Sequence, residues 1–255
     1  MKRILVSQPK PAAGKSPYNI LSTRFGMEVV FRPFIKVVGM PAREFRQQKI
    51  YIPEYTGIIF TARTAVDHYF ALCEETRFHV PDTMKYFCLN ESIANYLQKY
   101  IIYRKRKIFF SETGRIEDLI PYLVKHSKEK FLLPISDTHR REKTIALDKQ
   151  GIVYQPAVMY RTVSNDFAPD EPFDYDMLLF FSPSGVKSLQ SNFPDFKQGD
   201  IAIGAMGDST IEAVNNAGLR LDITISPEAP SMAAAAVRFL RENYPELEID
   251  GNDKE

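Results

Sequence analysis

The chain has 255 residues, of which 44% are hydrophobic and 25% charged, and its formal net charge is +1. This is an ordinary globular composition, long enough for one large or two ordinary domains, and it argues against the strongly basic surface of a nucleic-acid-binding protein. The chain lacks a signal peptide's apolar core and any run near the roughly 20 apolar residues of a membrane span, which predicts a cytoplasmic protein without membrane contact. Cys73 and Cys88 lie in apolar patterns, which predicts two buried free thiols.

Strand-like and helix-like runs alternate along the chain, the pattern of parallel α/β sheets. The strands are predicted at residues 3–7, 28–38, 57–61, 85–89, 107–110, 131–135, 152–163, 177–181, 201–205 and 222–226. The helices are predicted at residues 17–25, 64–75, 92–100, 116–127, 140–150, 184–192, 209–217 and 231–243. Residues 165–172, rich in Asp and Pro, are typical of a linker.

The two long strands predict a domain organisation. Residues 28–38, interrupted by Pro33, and residues 152–163, which contain Pro156, bracket the middle of the chain. A proline suits an edge or bridging strand. We therefore expect a discontinuous α/β domain of residues 1–31 plus 167–255 and an inserted α/β domain of residues 39–150. Residues 32–38 and 151–166 would be crossover strands that form a two-stranded antiparallel hinge, with a cleft between two similar domains.

Three sequence blocks recur in order, about 120 residues apart, each an apolar run that ends in small hydroxyl residues and opens a helix. The pairs are 58–66 with 179–186, 87–94 with 203–211, and 109–114 with 225–231. Parallel sheets bind ligands where strands end and helices begin, and helix N-termini attract anions. The hydroxyl residues at these places are Thr61, Thr64, Ser92, Ser111, Thr113, Ser182, Ser184, Ser209, Thr210 and Ser231. Taken singly, each is better explained by helix capping, whereas the set at one cleft favours a ligand role.

Other motifs do not predict a site. Gly14-Lys15-Ser16 lacks the first glycine of a phosphate-binding loop, and the segment 204–207 has Met206 where a dinucleotide fingerprint needs glycine. The four histidines, His68, His79, His126 and His139, lack metal-ligand spacing, so we expect no metal.

The repeated blocks resemble the uroporphyrinogen-III synthase family over nearly the full length of the chain. The resemblance is carried by residues 59–66, 180–186, 203–204 with 209–213, and 227–231, and by Tyr160-Arg161-Thr162, which resembles the family's tyrosine-containing return strand. It implies two α/β domains joined by a β-ladder, and no metal or organic cofactor. We expect a monomer, because a cleft that closes by hinge bending needs freedom to move. The implied substrate is a polycarboxylate tetrapyrrole, hydroxymethylbilane, which loses water, inverts ring D and closes to uroporphyrinogen III.

The same resemblance implies roles for particular residues. Tyr160 would donate a proton or hydrogen bond to the departing hydroxide; its alternative role is aromatic packing in a ladder. The substrate carboxylates would be bound by Thr61, Arg63, Thr64, Ser92, Ser182, Ser184, Lys187, Ser209 and Thr210.

The middle of the chain departs from the family pattern at three places. Ala62 stands where a serine is frequent, Leu89 replaces a glycine before Asn90-Glu91, and Ser136-Asp137 stands where glycine is common. These departures leave open a catalytically inactive protein of the same fold that senses a tetrapyrrole or another polyanion. A generic two-domain solute-binding protein is a third reading, disfavoured by the missing signal peptide. We expect the stronger substrate contacts in the C-terminal half.

Overall fold

The computed structural model describes residues 2–11, 16–139 and 144–249. Two features of the sequence fall partly outside them: Gly14 and Lys15 of the incomplete phosphate-loop motif, and residues 140–143 of the helix predicted at 140–150. None of the helices among the described residues is long and apolar enough to cross a membrane.

Eleven strands occupy nearly the positions that alternation predicts in the described part of the chain. They are β1 (Arg3–Val6), β2 (Glu28–Phe31), β3 (Ile35–Gly39), β4 (Gly57–Phe60), β5 (Lys85–Cys88), β6 (Ile108–Phe110), β7 (Phe131–Ser136), β8 (Tyr154–Ser164), β9 (Met177–Phe180), β10 (Ala202–Ala205) and β11 (Ile223–Thr224).

Apart from α2, the α-helices of the described residues lie within the ranges predicted for them or within one residue of those ranges. They are α1 (Asn19–Phe25), α2 (Ala42–Phe45), α3 (Arg63–Glu75), α4 (Glu91–Tyr96), α5 (Ile120–Lys125), α6 (Ile145–Lys149), α7 (Pro183–Asn192), α8 (Asp208–Asn216) and α9 (Met232–Asn243). Short 3₁₀ turns lie at Arg46–Gln48, Ile52–Glu54, Leu97–Lys99, Lys105–Lys107, Ile116–Leu119 and Pro245–Leu247. Helix α2 and the turns near it lie in 39–56, for which the sequence pattern predicts no element.

The strands form two sheets, which confirms a mixed α/β fold with parallel sheets. One sheet has the order β11-β10-β9-β1-β2, with parallel pairing throughout. The other has the order β3-β8-β7-β4-β5-β6, and its pairs from β8 to β6 are parallel. Contacts divide the chain into two compact units, Met1–Lys36 with Val163–Glu255, and Val37–Thr162. We call them unit 1 and unit 2.

The central strands are buried from end to end because helices cover both faces of a parallel sheet. All four residues of β4, β9 and β10 are buried. Close packing explains Gly204 in β10, since a Cβ there would lie 2.6 Å from the Leu179 side chain and 3.2 Å from that of Met232. The glycine that suggests a dinucleotide motif therefore serves strand and helix packing.

The strand predicted at 28–38 with an interruption at Pro33 consists of two strands, and these belong to different sheets. β2 pairs with β1, whereas β3 is the neighbour of β8. The break falls at Pro33, which has no N–H group for a sheet ladder. The guanidinium of Arg32 fixes the backbone between β2 and β3 by donating to the carbonyls of Pro33 and Asn165, each at 2.7 Å. The second long strand, predicted at 152–163, is confirmed as β8.

The outer edge of β8 is held by a side chain as well as by a strand. The amide of Gln48 donates to the Val158 carbonyl at 2.7 Å and accepts from the Val158 N–H at 2.9 Å. One residue further, the Met40 N–H donates to the Met159 carbonyl at 2.8 Å. Gln48 thus continues the ladder beyond the end of β3, and satisfies both backbone groups of a half-buried residue.

We expect Gln48→Ala to lower the free energy of unfolding by about 1–3 kcal/mol, because both backbone groups of Val158 would lose their partner. The measurement is chemical denaturation at equilibrium. Gln47→Ala is the matched control, since its exposed side chain should change stability by less than about 0.5 kcal/mol. Equal stability of the two variants would show that the Gln48 pair contributes nothing.

Candidate active site

In parallel α/β sheets a ligand crevice forms where the strand order reverses, at the carboxyl ends of the strands. In unit 1 the reversal lies between β1 and β9, which are neighbours although β2 is the next strand along the chain. In unit 2 it lies between β4 and β7. The residues that follow these four strand ends are therefore the first candidates: Ser7, Thr61, Asp137 and the turn at Ser182.

In unit 1 the predicted residues after β9 lie together in the first turns of α7. The Ser182 side chain caps the helix by accepting from the Gly185 N–H at 3.2 Å. Ser184 is half-buried, and Lys187, three residues further along the helix, is exposed. A cation and a hydroxyl at this spacing share one helix face.

Ser7 is a candidate that the sequence reasoning missed. Its N–H donates to the Leu179 carbonyl at 3.1 Å, which fixes the residue beside β9. A Cβ at Gly185 would lie 3.6 Å from the Ser182 Oγ and 3.9 Å from the Ser7 Oγ, so both hydroxyls lie beside the start of α7. Its position at the end of the first predicted strand was the available signal.

At the start of α8 the two predicted hydroxyl residues differ. Ser209 is exposed, whereas Thr210 is 1% exposed and lies on the buried face of the helix. Gly207 is the N-cap residue directly before the helix, and its φ of +87° favours glycine. Asp208, also exposed, adds a carboxylate to this turn. Only Ser209 of the pair presents its side chain to solvent in this structure.

In unit 2 the structure brings together Arg63 and Ser92. The Arg63 guanidinium donates to the Ser92 Oγ at 2.5 Å and lies over the Tyr96 ring, 5.3 Å from its centroid. This contact joins the first turn of α3 to the first turn of α4. Thr61 and Thr64 are both half-buried. Thr61 precedes the N-cap residue of α3, and Thr64 lies in its first turn.

The capping groups are not always the predicted ones. Asn90 rather than Ser92 caps α4, and Ser231 caps α9 as the hydroxyl pattern suggests. Ser111 closes its own turn by accepting from the N–H groups of Gly114 and Arg115, and is itself buried. These hydroxyls and amides are engaged within the protein.

Helices α3 and α8 begin without a side-chain cap, at Ala62 and Gly207. Among the described residues no acceptor faces the N–H groups of Arg63, Thr64 and Ser209. A helix start with unpaired N–H groups and a partial positive charge accommodates a ligand carboxylate. Of the four helices that directly follow β4, β5, β9 and β10, α4 and α7 have a side-chain cap, whereas α3 in unit 2 and α8 in unit 1 do not.

Tyr160 lies in β8, directly after an irregularity in the ladder with β7. The register shifts between Ile135 and Ser136, so that Ser136 pairs with Tyr160 and Met159 is the extra residue. Bulges of this kind redirect side chains and are frequent next to active sites. Burial raises the pKa of the Tyr160 phenol, so it remains protonated at neutral pH and can donate a hydrogen bond.

The prediction of two buried free thiols is confirmed, since Cys73 and Cys88 are buried and unbridged. The described residues hold no group of three or more His, Cys, Asp or Glu side chains that could bind a metal ion.

The thiols should be chemically inert in the folded protein. Burial raises the pKa of Cys73 to about 12 and that of Cys88 further, and the thiolate is the reactive form. At pH 8 we expect no reaction with Ellman's reagent while the protein is folded, and two equivalents after denaturation. A thiol that reacts within minutes under native conditions would contradict this assignment.

Comparison with known proteins finds a matching family model and structures of similar fold. A family model described as uroporphyrinogen-III synthase HemD matches residues 18–236. The structure is similar to uroporphyrinogen-III synthetase from Helicobacter pylori 26695, at 18% identity and a TM-score of 0.55, over 95% of this chain and 100% of that chain. A mutant uroporphyrinogen III synthase from the extremely thermophilic bacterium Thermus thermophilus matches at 15% identity and a TM-score of 0.46, over 95% of this chain and 100% of that one.

No match to a curated protein sequence was found. The Helicobacter pylori structure, at its low identity, establishes similarity of fold. Membership rests on the family model, which spans most of the sequence and includes the predicted site residues. The chain belongs to the uroporphyrinogen-III synthase family.

Proposed function

We propose that Tyr160 and the two strand-end crevices carry out the reaction of this family. The family is one of cyclising lyases of porphyrin biosynthesis. Its substrate hydroxymethylbilane, a linear tetrapyrrole, loses water, inverts ring D and closes to uroporphyrinogen III. The family match does not favour a catalytically inactive sensor. Tyr160 and the carboxylate-binding residues are our assignment.

The observation that carries the assignment of anion binding is the pair of uncapped helix N-termini. The N-cap residues are Ala62 for α3 and Gly207 for α8, and neither provides a side-chain cap. A substrate with many carboxylates needs several anion sites, and backbone N–H groups supply them without a full positive charge. We place one carboxylate at each start, near Arg63 and Ser209.

The hydroxyl and cationic residues supplement these backbone groups. Arg63 with Ser92, Thr61 and Thr64 would bind carboxylates from unit 2, and Ser182, Ser184 and Lys187 from unit 1. Ser209 presents its hydroxyl directly, while Thr210 supports the same turn from its buried face. We add Ser7 to this set, because it lies at the end of β1 beside Ser182.

The chemical step needs little from the protein beyond a proton and a fixed geometry. Hydroxide leaves more readily when a donor neutralises its developing charge. Tyr160, protonated and half-buried, is suited to donate to that oxygen. Holding a flexible chain in its closing geometry supplies the rest of the acceleration. Inversion of ring D depends on this fixed geometry of the bound substrate, because unassisted closure gives the type I isomer without inversion.

Residues 32–38 and 151–166 are, in this proposal, the segments through which the chain crosses between its two domains. The crossing strands are not a free-standing ladder, since β8 also pairs with β7 in the sheet of unit 2. A monomeric state and a cytoplasmic location remain predictions.

Tyr160→Phe tests the donor role, since it removes one hydroxyl and keeps the ring. We expect kcat to fall by roughly 10²-fold and the fraction of type I product to rise, because spontaneous closure then competes. The measurement is a coupled assay in which hydroxymethylbilane is supplied and the porphyrin isomers are separated. Tyr51→Phe is the control, since its ring is 65% exposed. An unchanged rate together with an unchanged isomer ratio would exclude the donor role.

Ala62→Asp tests the carboxylate site at α3. The backbone of Ala62 is extended (φ −153°, ψ 153°), as a capping residue requires, so Asp should cap α3 and raise the free energy of unfolding by about 1 kcal/mol. Its charge should also repel the substrate and raise KM several-fold. Ala62→Asn is the matched control, since it caps without a charge and should leave KM much closer to that of the parent. Equal KM values for Asp and Asn would remove α3 from the binding site.

A further inference from the structure

The backbone of Tyr160 is fixed from both sides, and its half-buried ring packs against the buried core of unit 2. The Asp137 N–H donates to the Tyr160 carbonyl at 3.0 Å, and Met40 and Gln48 hold the two preceding residues. Rotation about χ1 and χ2 would still move the phenol oxygen by several ångströms. A donor that must meet one oxygen of the substrate needs its ring held as well.

The ring of His68 restricts rotation of the Tyr160 ring. It stacks on the Tyr160 ring with 5.3 Å between centroids and 22° between planes. His68 belongs to α3, four residues after Thr64, so the two lie on one face of the helix that begins at the proposed carboxylate site. The stack therefore connects the phenol to the helix whose N-terminus would bind the substrate.

The fit of the His68 ring depends on a residue without a side chain in β3. A Cβ at Gly39 would lie 2.9 Å from the His68 Nδ1, closer than real Cβ contacts allow. The imidazole thus occupies the space that any other residue at 39 would take. The same ring is thus close to Gly39 and stacked on Tyr160.

The charged neighbour of His68 is engaged elsewhere. The Asp67 carboxylate accepts from the Tyr96 hydroxyl, from the Tyr100 hydroxyl and from the Lys99 ammonium group at 2.9 Å. Burial lowers the pKa of His68, although Asp67 opposes that effect, so the imidazole is neutral at physiological pH. A neutral ring can stack on the phenol without placing a cation beside it.

We infer that His68 is a positioning residue for the reaction: it orients the Tyr160 phenol by stacking, and Gly39 leaves the room for it to do so. This inference rests on the proposed role of Tyr160. It assigns to His68 no proton transfer and no contact with the substrate.

A double-mutant cycle tests the inference. We expect His68→Ala to lower kcat by roughly 10-fold, as misplaced catalytic groups do, with KM within about threefold of the parent. His68→Phe keeps a stacking ring and should restore most of the activity. In the Tyr160→Phe background, His68→Ala should have almost no further effect. Rates are normalised to the folded fraction, and His79→Ala, an exposed histidine, is the control.

The outcomes distinguish a failure of the proposed function from a failure of the inference alone. If Tyr160→Phe has the parent's rate and isomer ratio, the donor role fails and the inference fails with it. If Tyr160→Phe is impaired but His68→Ala behaves as His79→Ala does, only the positioning role is overturned. The same holds if His68→Ala lowers kcat equally in both backgrounds. Gly39→Ala, which displaces the imidazole without removing it, should reproduce the His68→Ala defect in kcat.

Discussion

Parallel pairing of the strands is the constraint on which the rest of this structure depends. Because β1, β9 and β10 all run in one direction, the helices that follow β9 and β10 start at the same edge of their sheet. The same holds for β4 and β5 in unit 2. Chemistry-bearing residues that are far apart in sequence are thereby collected at one edge, where helix N-termini provide a favourable environment for anions.

In the proposed function, the N-cap residue determines whether the N–H groups at a helix start are paired within the protein or are free to bind a ligand. Where Asn90, Ser182 or Ser231 accepts a backbone N–H, the helix end is satisfied from within the protein. Ala62 and Gly207 provide no such group. The departure from the family pattern at Ala62 therefore leaves the N–H groups at the start of α3 unpaired. On this view, residue 62 sets a balance between the stability of α3 and its readiness to bind a carboxylate.

Much of the fold could be predicted from the sequence, because buried strands and their following helices leave strong local patterns. The strand ends at Phe60, Phe180 and Ala205 lie within one residue of their predicted positions. The interruption at Pro33 could be predicted, but the placement of β2 and β3 in different sheets depends on their distant partners β1 and β8 and leaves no local signal. The bonds of Gln48 to Val158 join residues 110 positions apart and leave no local signal.

The candidate site was predictable in its position and less so in its detail. Ser182 and Arg63 lie at the starts of α7 and α3, as the block pattern indicates. The burial of Thr210 beside the exposed Ser209 depends on how α8 is rotated against its sheet, which a hydroxyl pattern does not encode. The stacking of His68 on Tyr160 depends on Gly39, a third residue distant in sequence from Tyr160.

The pairing between β4 and β7 has a mechanical consequence. It comprises the residue pairs Gly57–Phe131 and Ile58–Leu132, and Pro134, which has no N–H, follows soon after. The sheet of unit 2 is thus two three-stranded ribbons with a short seam, fastened at the end remote from the strand termini near Thr61 and Asp137. Separation of β4 from β7 near Thr61 and Asp137 would therefore break none of the ladder hydrogen bonds within either ribbon.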